Sequence, residues 1–136
     1  MLELTDAART TAGIVALSIV AIESGGVFML RVVTGRERAT AFQQSFFRAG
    51  HAHAGVLVTL GLVCLLLGEA TTLDGFWRWL AQTGVLVAAI VMPAGFFFAA
   101  IGRGRESPSR AVVLLPVGAV VLAAGVTTLG IGLLLG

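Results

Sequence analysis

Four apolar runs of roughly membrane-spanning length, separated by short polar stretches, constrain this chain more than any other feature. About 20 consecutive apolar residues cross a hydrocarbon core as a helix, and four such crossings consume most of 136 residues. Lipid cannot satisfy open backbone N–H and C=O groups, so runs of this kind must close their hydrogen bonds internally, as helices. The expected fold is therefore an all-α membrane protein. It forms one domain, a four-transmembrane-helix bundle with helices at about 11–33, 47–70, 80–101 and 111–135. Charged residues make up only 12% of the chain, far below the quarter usual in soluble domains, and with four crossings taking up most of the length no appended soluble module is expected.

Each run carries its own flaw. The first is broken by Glu23, Ser24, Gly25 and Gly26. A cleaved signal peptide competes for this run, but Glu3 and Asp6 stand against Arg9 where a signal would be positive. The second run opens with His51 and His53 and then stays apolar to Leu67, with Gly55, Gly61 and Gly68 available for close helix approach. Trp77 and Trp79 resemble interfacial anchors ahead of the third run. Pro93 in the third run and Pro116 near the start of the fourth predict local bends.

Orientation follows from arginine counting. The chain has no lysine, and Arg31, Arg36, Arg38, Arg48, Arg103, Arg105 and Arg110 lie in or beside loops 1 and 3, against Arg9 and Arg78 at the opposite end. The positive-inside rule then predicts an N-out, C-out protein, multi-pass in the cell membrane, with its inner half toward loops 1 and 3. The same arginines are read as topology signals and headgroup contacts, so nucleic acid is not expected as a partner. The expected partners are the lipid bilayer and a homo-oligomer or larger membrane complex. Cys64 is a lone cysteine inside an apolar run and reads as a small core residue.

Chemistry concentrates in Glu23, His51 and His53. A carboxylate in hydrocarbon has to be protonated or paired, and imidazole titrates near neutrality. In an antiparallel hairpin of helices 1 and 2, Glu23 falls at the depth of His53. The pair is expected as a proton-handling or acid/base couple, with His51, Met92 and Arg48 as ligand-binding neighbours. Two histidines two positions apart on a helix point about 200° away from each other, so no metal site is expected unless helix 2 starts after His51, which would let both reach one ion with Glu23 as third ligand. Phe96, Phe97 and Phe98 read as packing, and Thr59, Thr127 and Thr128 as hydroxyls returned to their own helices.

The stretch Gly50-His51-Ala52-His53-Ala54-Gly55-Val56-Leu57 resembles the His-x-His-x-Gly helix starts of the haem-copper oxidase and nitric-oxide-reductase superfamily. That resemblance implies a haem-ligating histidine, with a second axial ligand such as Met92 or one from a partner. The layout as a whole, rich in Ala, Gly and Val with Arg in place of Lys, resembles small four-helix integral membrane proteins of high-GC bacteria. Three functions stay open from sequence. One is a proton- or ligand-handling protein, as a transporter or complex subunit. A second is an enzyme or haem component acting on a lipophilic substrate, and a third is a structural subunit whose polar residues clasp helices together.

Overall fold

The computed structural model describes residues 3–136 and holds four long helices. Helix α1 spans Asp6–Val33, α2 Ala41–Gly68, α3 Gly75–Ala100 and α4 Leu114–Leu135, the last entered through a 3₁₀ turn at Arg110–Val113. All four are long and apolar enough to cross a membrane.

The first three helices begin five or six residues ahead of their apolar runs, and polar side-chain caps account for the first two. Thr5 accepts from the Ala8 amide at 3.2 Å, and Asp6 sits in the first turn of α1 near the positive end of the helix dipole. At the start of α2, Thr40 accepts from the Gln43 amide while the Gln43 side chain accepts from the Thr40 amide, a complete capping box. Helix α3 starts at Gly75, so Trp77 and Trp79 belong to its first turns. Pro116 falls in the first turn of α4, where a missing N–H costs nothing and no bend is required. Pro93 lies buried within α3, which remains helical on both sides of it.

Helix α3 is the centre of the bundle. Half of its most apolar window is buried, against 6% for α1. It packs between α2 and α4, whereas α1 packs on α2 alone among the helices. The α3–α4 contact is made by glycines: a Cβ placed on Gly84 would lie 3.0 Å from the Gly125 Cα. This closeness lets two backbones touch without a driving force from water. The main core joins Leu57, Val58 and Cys64 of α2, Ala81, Val85 and Ala89 of α3, and Leu129 of α4.

Helix α1 docks through a stripe of seven-residue spacing: Ala8, Val15, Ile22 and Met29, flanked by Gly25 and Val32. Residues recurring at that period form a single seam along one side of a helix. Val15 and Ile22 reach the main core, and Met29 and Val32 join Phe47 and Ala100 in a second cluster near loop 1. Most of the remainder of α1 is exposed, including Ile14, Leu17, Val20, Val27 and Leu30.

Candidate functional site

The histidines part company as their spacing requires. His51 faces α1, with its ring over the glycine pair: a Cβ on Gly25 would lie 3.4 Å from its Nδ1, and one on Gly26 3.6 Å from its Nε2. Glycine at both positions leaves the notch that the imidazole enters. His53 faces α3 instead, its ring 4.9 Å from that of Phe96, with Nδ1 2.8 Å from the Ala49 carbonyl oxygen. That contact fits an Nδ1–H donor and leaves Nε2 as the acceptor.

Glu23 stands on α1 one turn before Gly26, so the two share a flank of the helix. It is exposed and forms no ion pair among the described residues. The structure thus seats His51, rather than His53, against α1, at the glycines that follow Glu23. The other sequence-derived candidates fall elsewhere. Met92 lies over Gly118 of α4, where a Cβ would come within 2.3 Å of its Cγ, and packs against the main core. Arg48 is exposed, one turn before His51 on α2.

A groove of about 650 Å³ runs along α2 from His51 past Gly55 and Thr59 to Val63, with Ala52, Val56 and Leu60 completing its wall. It is apolar except for the imidazole and a hydroxyl. Thr59 spends its proton on the Gly55 carbonyl at 3.0 Å, and on α1 Ser24 does the same to Ala21 at 2.6 Å. The groove therefore offers one titratable polar group at one end and hydrocarbon along the rest. That arrangement suits an amphiphile or a partner helix. Among the described residues no group of three or more His, Cys, Asp or Glu side chains is placed to hold a metal ion.

Two polar clusters that the apolar pattern does not announce close the ends of the bundle. At the loop-2 end the Glu69 side chain is only 2% exposed. It accepts from Arg78 at 2.8 Å, from the Thr5 amide at 2.9 Å and from the Gln82 side chain, tying α1, α2 and α3 together. Burial alone would raise its pKa, but the hydrogen bonds from Thr5, Arg78 and Gln82 outweigh it and hold the carboxyl at about 2. At the loop-1 end, buried Gln43 donates to the carbonyls of Ala100 at 2.9 Å and Gly102 at 2.7 Å. Thr40 adds a hydroxyl bond to the Arg105 carbonyl at 2.5 Å. The Thr40-x-x-Gln43 capping pattern is a sequence signal for the second cluster. The first had none, because its partners are scattered along the chain.

Comparison with protein-family models, with curated proteins and with solved structures gives no match for this chain. The class that the fold defines is accordingly an all-helical protein with four helices long and apolar enough to span a membrane.

Proposed function

We propose that this chain is a cell-membrane protein with loops 1 and 3 in the cytoplasm. In this reading Glu23 and His51 form an intramembrane site that binds or relays a proton, and a second subunit covers the open side of α1. The observation that carries it is the seat of His51 over Gly25 and Gly26, one turn from an exposed carboxylate in the middle of an apolar helix.

Glu23 lies ten residues from the end of α1 at Val33, roughly 15 Å of helix rise, well inside a hydrocarbon core. An ionised carboxylate facing acyl chains is costly, so Glu23 calls for a polar partner there. Helix α1 has no helix but α2 against it, which leaves its far side for such a partner. Arginine placement supports the orientation, since seven of nine cations sit at the loop-1 and loop-3 end.

The test is proton flux into proteoliposomes under an imposed pH gradient, followed with an internal dye. Flux through the parent chain should vanish in Glu23→Gln and His51→Ala and persist in His53→Ala. Unchanged flux in Glu23→Gln, or none in the parent chain, removes the proposal.

A further inference from the structure

Loops 1 and 3 meet at the loop-1 end around a hollow of about 980 Å³ whose rim carries Arg36, Arg38 and Arg103. Among the described residues Glu37 is the one carboxylate in its wall, and it is engaged by Arg31. Arg36, Arg38 and Arg103 are exposed and have no ion-pair partner among the described residues. Three cations thus line one concave surface whose carboxylate, Glu37, is already paired with Arg31.

The hollow is also built on a fixed frame. Gln43 fastens the start of α2 to the last carbonyls around the end of α3, and Thr40 fastens loop 1 to the Arg105 carbonyl. Arg105 is itself folded back, its Nε donating to Ile101 at 2.9 Å. The two loops that carry the free arginines are therefore held at a set separation. Simple topology signals on loose loops would not require such cross-bonding.

We infer that this hollow is a binding site for a phosphate group, gripped by Arg36, Arg38 and Arg103. Guanidinium groups present planar donor pairs that match phosphate oxygens, and three of them more than offset the one or two negative charges of a phosphate group. Either an anionic phospholipid headgroup or a soluble phosphate compound supplies that chemistry. The lipid source rests on the chain spanning a membrane, whereas the soluble source does not. The site is separate from Glu23 and His51 and stands or falls without them.

The experiment compares two double variants of equal charge change in the full chain: Arg36→Gln with Arg103→Gln inside the hollow, and Arg48→Gln with Arg110→Gln outside it. Native mass spectrometry of detergent-solubilised protein counts bound phosphatidylglycerol, phosphatidylcholine and inorganic phosphate across a titration. Saturable binding of one phosphatidylglycerol per chain is expected for a headgroup site. It should exceed phosphatidylcholine and fall roughly tenfold or more in the inner pair, with a much smaller loss in the outer pair. Saturable inorganic phosphate with the same mutational pattern and no lipid preference assigns the site to soluble phosphates. Equal losses in the two pairs, or no saturable binding of any of the three probes, overturn the inference.

Discussion

The imidazole of His51 fills the notch in α1 at Gly25, where a Cβ would stand 3.4 Å from its Nδ1. This is the contact by which α2 presents a titratable group to the otherwise lightly held first helix, and its tolerance to added volume can be worked out.

A methyl group at Gly26 meets the imidazole at 3.6 Å, an ordinary contact, and alanine is preferred over glycine in a helix by up to about 1 kcal/mol. Gly26→Ala is therefore expected to be neutral or mildly stabilising. Gly26→Leu has no room beside the ring and should lift α1 from α2. Hydrogen exchange along α1 in detergent is the readout: slow in the alanine variant, fast in the leucine variant, with α3 unchanged in both.

Glu69 gives the fold a pH dependence of definite sign. Its pKa is held at about 2, below the 4.5 of an unperturbed carboxyl, so folding releases no proton at neutral pH and the clasp is fully formed there. Its contribution is present above the unfolded value and is lost as pH falls from about 5 through 2. Thermal melting in detergent should show this decline in the parent chain, and Glu69→Gln should flatten it. At neutral pH the same variant leaves Arg78 facing a neutral amide, at a cost of about 1–3 kcal/mol.

These two sites mark how far sequence reading reaches. Hydropathy located four helices, because lipid admits no other closed structure for such runs. The spacing of His51 and His53 fixed opposite faces, yet which face meets α1 depends on the register of the seam. That register is set by the notch at Gly25 and Gly26, invisible until the helices are paired. Thr5 and Thr40 extended α1 and α2 beyond their apolar cores by polar capping, which a hydropathy window discounts. Glu69 carries no signal in the sequence, because Thr5, Arg78 and Gln82 converge on it only in three dimensions.

The α3–α4 contact predicts a contrast between two glycines of one helix. A Cβ on Gly125 would come within 3.1 Å of the Gly84 Cα, backbone that cannot swing aside, whereas Gly130 has nothing within 4 Å. Gly125→Ala should force the helices apart and destabilise by about 1–3 kcal/mol, as overpacking of a tight core does. Gly130→Ala should gain up to about 1 kcal/mol in helix preference. Denaturation in mixed micelles separates the two, and equal effects would contradict the close approach.

Gln43 provides the last and sharpest discrimination, because its chemistry and its shape can be changed separately. The side-chain amide donates both of its protons, to Ala100 and to Gly102, and accepts from the Thr40 amide. Gln43→Glu preserves the size and the capping acceptor but sets an oxygen against two carbonyl oxygens, so the bonds to α3 are replaced by repulsion. Gln43→Ala merely vacates the position and leaves those carbonyls to water. The glutamate variant should therefore be the more damaging at neutral pH despite its closer likeness to glutamine, with a loss above the roughly 1–3 kcal/mol of an unsatisfied buried group. Loop 3 carries Arg103 and Arg105, which makes limited trypsin digestion the measurement. Cleavage there should be slowest in the parent chain, faster in Gln43→Ala and fastest in Gln43→Glu, and lowering the pH toward protonation of the carboxyl should narrow the gap between the two variants.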